Sequence, residues 1–305
     1  LGTDIKGCIK WEGFVACSPR SLHSATMNIC HSEPLVETEL DELLLACLNE
    51  LANLSSENES QSSDDSFVIN LGKVQFTSTV ISLLVQLMNQ PLRKTRTQNE
   101  TGSKWDRVSL SRCFFDPSTR IPHVLDYGRR SVANNSHCTR EDMHSLFATL
   151  LRRTKNLSLY ESPEILAQLT QIPELDQFEV NSLCVRERTS SSLFNYARLG
   201  EMIQRSTQLV ELELSLPFED FPREMFESLS NAVNIQTLFL TQPQREPNER
   251  MEQILSDLVG DESGDGVVVR LLINPQSQLQ HLDLQRMHLE DRHFIAIAQA
   301  LPTSR

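Results

Sequence analysis

Leu279-Gln280-His281-Leu282-Asp283-Leu284-Gln285-Arg286-Met287-His288-Leu289 decides the fold reading. Its apolar residues stand at the first, fourth, sixth, ninth and eleventh places, and the amphipathic segment EDRHFIAIAQAL follows. Alternate residues of a strand face one side, so Leu282 and Leu284 enter a common core. Apolar residues three and four apart in the next segment mark a helix. One short strand leading into one helix cannot bury its own apolar face. Several such units, stacked, can.

The same frame recurs upstream. Leu209, Leu212 and Leu214 lie in QLVELELS, and Ile235, Leu238 and Leu240 in NIQTLFLT. Leu175, Phe178, Val180 and Val185 fit it in ELDQFEVNSLCV, as do Trp105, Val108, Leu110, Cys113 and Phe115 in KWDRVSLSRCFF. Weaker copies are Thr154, Leu157 and Leu159, then Ser66, Ile69, Leu71 and Phe76, and weakest Ser24, Met27 and Ile29. Helical spacing marks residues 37–54, 79–88, 141–152, 193–205, 223–233, 249–259 and 291–301. Strands alternating with helices imply parallel pairing.

The pattern resembles the leucine-rich-repeat proteins of the ribonuclease-inhibitor type, clearly over about residues 150–305 and in divergent form over 22–150. The resemblance implies an α/β fold: a curved solenoid with parallel strands on the concave face and helices on the convex face. First positions lie 21 residues apart (154 to 175), then 34 (to 209), 26 (to 235) and 44 (to 279). Regular repeats run to about 20–29 residues, so the repeats here are irregular. The Asn/Cys position of the family is filled by Cys113 in one copy and elsewhere by Val74, Leu183 or Met287. Three regions follow: an N-terminal segment without an assigned structure (1–21), divergent repeats (22–150) with polar insertions at 55–65 and 93–104, and clearer repeats (151–305). In a rival reading LVETELDELLLACLNELANL is a helix of an unrelated helical domain and Ser55–Asp65 is a linker.

Composition narrows the function. The 305 residues carry a net charge of −13 and a pI near 5.1. An acidic chain without a basic stripe is a poor ligand for nucleic acid or anionic membranes; a basic protein is the better-matched partner. No apolar run approaches the roughly 20 residues that span a bilayer, and Leu1–Ser21 lacks the basic and apolar regions of a signal peptide. The absent initiator Met and the ending ALPTSR, with no polar cap, suggest a fragment of a longer chain. Seven scattered cysteines, with no CxxC pair, suit a reducing compartment and a cytoplasmic location.

Chemistry-bearing motifs are weak. Phosphate-loop, dinucleotide, zinc-protease and nucleophile-elbow patterns are absent, so neither catalysis nor a cofactor is expected. His137, Cys138 and His144, with Cys113, lack the paired spacing of a structural zinc site. Asp261–Gly266 resembles half a calcium loop, but Leu272 stands where the bidentate carboxylate belongs, and VVVRLLI after it reads as a strand. His281 and Asp283 share a strand face without a nucleophile beside them.

The frame does specify an outward face: Arg107, Ser109 and Ser111; Asn156, Ser158 and Tyr160; Gln177, Glu179 and Asn181; Glu211, Glu213 and Ser215; Thr237, Phe239 and Thr241; His281, Asp283 and Gln285. Glu179, Glu211, Glu213 and Asp283 would form an acidic stripe holding Tyr160 and Phe239, with His281 beside them. Aromatic anchors within a charged rim suit protein recognition. The expected function is therefore a protein-interaction scaffold. The resemblance also covers Ran-GTPase activators, for which Arg107 is the one arginine on the face, and recognition arms of receptors or ubiquitin ligases.

Overall fold

The structure is a computed structural model, and it describes residues 2–3, 8–11, 14–17, 24–30, 45, 66–90, 104–115, 138–188, 194–242, 249–260 and 266–301. The fold is α/β, with parallel strands alternating with helices, in two compact units, Leu1–Thr154 and Lys155–Arg305.

In the first unit the strands are β1 (Gly2–Thr3), β2 (Cys8–Trp11), β3 (Phe14–Cys17), β4 (Ser24–Cys30), β5 (Ser66–Gly72), β6 (Gln75–Phe76), β7 (Trp105–Ser111) and β8 (Phe114–Phe115). The helices are α1 (Ser78–Asn89) and α2 (Arg140–Arg153). From β4 onward pairing is parallel, with Met27 beside Ile69 beside Val108, and Ile29 beside Leu71 beside Leu110. Residues 1–21, to which the sequence reading assigned no structure, contain β1, β2 and β3, which pair antiparallel, as β3 does with β4. Short intervening segments permit antiparallel neighbours, whereas a parallel return needs a crossover. Of the expected helix at 37–54, only Leu45 is described, helical and exposed; the rest, the 55–65 insertion and all but Lys104 of the 93–104 insertion lie outside the described residues.

Beyond β5 and β7 the chain turns through Lys73 (φ 57°) and Arg112 (φ 53°), both left-handed. The Lys73 amide donates to Ser111 O at 2.8 Å, extending the ladder past the strand ends. Phe76 then pairs with Phe115 across β6–β8, the Phe114 amide donates to Val74 O at 3.0 Å, and Val74, Phe76, Cys113 and Phe115 are all buried. Phe115 bridges Phe76 (centroids 5.8 Å apart) and Phe147 of α2 (6.2 Å). Each such buried ring contributes roughly 2 kcal/mol. The Cys113 thiol donates to Leu71 O at 3.4 Å, so it ties the turn after β7 to strand β5.

The second unit contains β9 (Thr154–Tyr160), β10 (Ser182–Arg186), β11 (Glu211–Ser215), β12 (Thr237–Thr241) and β13 (His281–Gln285), all parallel and paired in that order. Its helices are α3 (Pro163–Gln171), α4 (Tyr196–Arg205), α5 (Arg223–Ser230), α6 (Glu249–Leu258), α7 (Val267–Ile273) and α8 (Asp291–Ala300). Leu157/Leu159, Leu183/Val185, Leu212/Leu214 and Leu238/Leu240 are buried in one layer.

The frame at β10 differs from the sequence reading. The first position is Val180, not Leu175, and the buried strand pair is Leu183 and Val185. A column of backbone bonds fixes this: Asn181 N to Lys155 O (2.7 Å), Val210 N to Asn181 O (2.9 Å), Gln236 N to Val210 O (2.8 Å) and Gln280 N to Gln236 O (2.8 Å). Equivalent strand residues then lie 26 (157 to 183), 29 (183 to 212), 26 (212 to 238) and 44 (238 to 282) residues apart. The first three spacings are closer to uniform than those expected, and the long fourth accommodates both α6 and α7.

VVVRLLI is the helix α7 rather than a strand, with Val267, Val268, Val269 and Leu271 buried. Burial on several sides removes the polar–apolar alternation that separates the two structures, and β-branched composition then misleads. Helix α3 was not anticipated, although Pro163 occupies its first turn. Helix α4 starts at Tyr196 because the Asn195 side chain accepts from Arg198 N at 3.0 Å. It then lies so close to α5 that a Cβ on Gly200 would come within 2.8 Å of Met225 Sδ and 2.9 Å of Ser228 Cβ.

Candidate functional site

The face of β9–β13 opposite the leucine layer carries three lateral rows. The first runs Asn156, Ser182, Glu211, Thr237, His281. The second runs Ser158, Cys184, Glu213, Phe239, Asp283, and the third Tyr160, Arg186, Ser215, Thr241, Gln285. Neighbours within a row are about 4.8 Å apart, the spacing of paired strands.

Tyr160, Glu211, Glu213, Phe239, His281 and Asp283 are thus on one face. Glu179 is not. It precedes β10, and its expected place in the stripe is held by Cys184. The sequence frame, set five residues early, also left out Arg186. The signal for both was the triplet Val180, Leu183, Val185, which repeats the spacing of Thr154, Leu157, Leu159.

Arg186 organises the face. Its guanidinium contacts the Glu213 carboxylate through Nε at 2.6 Å and Nη2 at 2.5 Å, and lies 5.3 Å from the Tyr160 ring centroid. A carboxylate and an aromatic face thereby hold one cation between two strands. Burial opposes the Arg186 charge, but Cys184 and Glu213 beside it hold its pKa above the ordinary value. Burial raises the Tyr160 phenol as well, against the lowering effect of the Ser158 hydroxyl. The Cys184 thiol is pushed up to about 12, by burial first and by the adjacent Glu213 carboxylate second. It stays protonated and is a poor nucleophile.

Toward β13 the face changes character. Phe239 and His281 rings tilt together with centroids 5.5 Å apart. Asp283 accepts from Gln285 Nε2 at 2.9 Å. Phe239 lies laterally between Glu213 and Asp283.

The turns behind Tyr160 and Arg186 are tied. Glu161, left-handed at φ 46°, donates its amide to Arg186 O (2.7 Å), and Glu187 donates its amide to Ser215 O (2.8 Å). The Glu187 side chain, 2% exposed, accepts from Ser162 N at 2.7 Å, and Arg188 pairs with Glu161 at 2.7 Å. Burial lifts the Glu187 carboxyl to about 8, against the Ser162 amide and with help from the Glu161 charge.

Arg107 is exposed on β7 in the first unit, paired in register with Val68. Cys113 and Cys138 donate to backbone carbonyls, and His144 is half-buried on α2. His137 and residues 261–265 of the acidic turn lie outside the described residues. Among the described residues no helix is long and apolar enough to cross a membrane. No protein-family model matches this chain, and no curated protein matches it.

Proposed function

We propose that this protein is a leucine-rich-repeat scaffold of the ribonuclease-inhibitor type that binds a basic protein in the cytoplasm, through the exposed strand face and without catalysis. The observation that supports this is the in-register stacking of β9–β13, which places Tyr160, Glu211, Glu213, Phe239, His281 and Asp283 on one face. Rigid strands hold these side chains without loop-ordering cost, which favours recognition. Glu213 is already engaged by Arg186, so Glu211 and Asp283 are the acidic groups left to steer a cationic partner, with Phe239 and Tyr160 as anchors.

The test is affinity capture with mass spectrometry, comparing the wild-type chain with a Glu211→Lys, Asp283→Lys variant that leaves the Arg186–Glu213 pair intact. Matching circular dichroism establishes that both fold. Loss of a captured protein in the variant supports the reading, and undiminished capture overturns the choice of face. Regulation of a GTPase is a second reading, favoured by the exposure of Arg107 on its strand face. Single-turnover GTP hydrolysis with small GTPases, with and without Arg107→Ala, tests it, and no stimulation by the wild-type chain removes it.

A further inference from the structure

The outward face of the second unit already holds one guanidinium, and the way it is held says what the rest of the face accepts. Arg186 of β10 has an aromatic ring on the strand before it and a carboxylate on the strand after it. Its guanidinium lies 5.3 Å from the Tyr160 ring centroid and contacts Glu213 through Nε at 2.6 Å. A planar guanidinium serves both partners at once, stacking on the ring while its N–H fork meets the carboxylate. In the three outward rows of β9–β13, Arg186 is the one arginine or lysine. The same pair of groups recurs further along without such a cation in the rows. Phe239 of β12 stands between Glu213 of β11 and Asp283 of β13, each about 4.8 Å away along the row. Its ring is half-buried and tilts against His281, with centroids 5.5 Å apart. Asp283 is half-buried and accepts from Gln285 Nε2 at 2.9 Å. A carboxylate has about four lone-pair sites, so Asp283 keeps capacity for a forked donor.

We infer that Phe239 and Asp283 form a seat for an arginine side chain of the partner, its guanidinium stacked on the phenyl ring and forked onto the Asp283 carboxylate, as Arg186 is held by Tyr160 and Glu213. This deepens the reading of the outward face as a surface for a basic protein, and rests on it. The Tyr160 seat is filled from within by Arg186, and Glu213 is neutralised by the same residue, so an incoming cation is directed to the β12–β13 side. Glu211, exposed in the first row of β11, adds attraction for a second basic residue. The seat discriminates between the two common cations. A lysine ammonium is a compact, strongly hydrated charge that pairs with a carboxylate but presents no plane to a ring, whereas arginine does both in one geometry. The occupant is therefore an arginine-bearing segment rather than any basic surface.

The experiment is an NMR titration of the full chain, isotope-labelled at its backbone amides and phenylalanine rings, with the peptide GSRSRSG and with counterparts carrying lysine or citrulline in place of arginine. The ring resonance missing from Phe239→Leu is that of Phe239. The arginine peptide should shift this resonance and the amides of β12 and β13, and bind about threefold or more tighter than the lysine peptide. Citrulline, planar but neutral, should not bind. In Phe239→Leu the arginine and lysine peptides should bind alike, and Phe239→Tyr, which keeps a ring, should restore the preference. Asp283→Asn should weaken the arginine peptide by about threefold or more. Amide spectra that match the wild type away from β12 and β13 establish that the variants fold. If both peptides bind equally and both are lost from Glu211→Lys, Asp283→Lys, the arginine seat is overturned while the basic-partner reading of the face stands. If neither peptide shifts β11–β13, both fall. An arginine preference that survives in Phe239→Leu, or is lost in Phe239→Tyr, overturns the seat as well.

Discussion

Replacing Glu187 by Gln should make the second unit less sensitive to rising pH. The Glu187 carboxyl is 2% exposed and accepts Ser162 N at 2.7 Å, and burial holds its pKa at about 8 against an ordinary value of 4.5. Below pH 4.5 it is protonated both folded and unfolded, and its contribution to stability is complete. Between 4.5 and 8 the unfolded chain ionises while the folded one keeps its proton, so stability falls as pH rises. Above 8 both forms are ionised and the loss is complete. At about 1.36 kcal/mol for each tenfold in proton affinity, the lift from 4.5 to 8 amounts to about 5 kcal/mol. Relaxation and water entry around the ionised group reduce the measured loss to roughly 2–4 kcal/mol. Glutamine keeps the acceptor for Ser162 N and cannot ionise, so the variant should match the wild type near pH 5 and exceed it by this amount near pH 9. Hydrogen–deuterium exchange of the β10 amides, normalised to intrinsic rates, reports the difference where it acts. Protection profiles for the two proteins that stay parallel from pH 5 to 9 would refute the reasoning.

Other outcomes follow from single contacts. Gly200→Ala gains helix propensity by about 1 kcal/mol but forces Cβ against Met225 and Ser228; a net loss of about 1–3 kcal/mol is expected, and an unchanged or raised Tm would show that α4 and α5 separate freely. At the left-handed turn of β5, Lys73→Gly should raise stability by about 0.5 kcal/mol and Lys73→Val lower it by about 1–2 kcal/mol, readable in urea midpoints. Arg186→Ala removes an ion pair and a ring contact on a half-exposed side chain, so the stability loss should stay near or below about 1 kcal/mol, while capture of a partner, if Arg186 orders the face, drops more steeply. With its thiol pushed up to about 12, Cys184 should resist iodoacetamide in the native chain at pH 8, measured by peptide mass spectrometry; rapid labelling would contradict the buried, Glu213-facing placement.

The sequence by itself determined what depends on local periodicity. Leu209/Leu212/Leu214, Ile235/Leu238/Leu240 and Leu279/Leu282/Leu284 carry an unambiguous strand frame, because each triplet stands alone between helical segments. Their outward residues, Glu211, Glu213, Phe239, His281 and Asp283, followed from alternation. The helices α1, α2 and α8 were legible for the same reason: one apolar stripe, with charges or caps at the ends.

Tertiary structure decided what several local patterns could satisfy. Between Leu175 and Val185 two overlapping frames exist, one on Leu175, Phe178 and Val180 and one on Val180, Leu183 and Val185. Only the second lets Leu183 lie between Leu157 and Leu212 while Asn181 bonds both neighbouring turns. A strand slipped out of register exposes its apolar set, and that long-range cost, invisible in an eleven-residue window, removed Glu179 from the face and brought in Cys184 and Arg186. The valine run of α7 was settled in the same way, since burial of Val267, Val268 and Val269 outweighs a weak intrinsic preference for strand. The elevated pKa of Glu187 is likewise a property of its enclosure, because desolvation depends on everything packed around the carboxyl and not on the residues beside it in the chain.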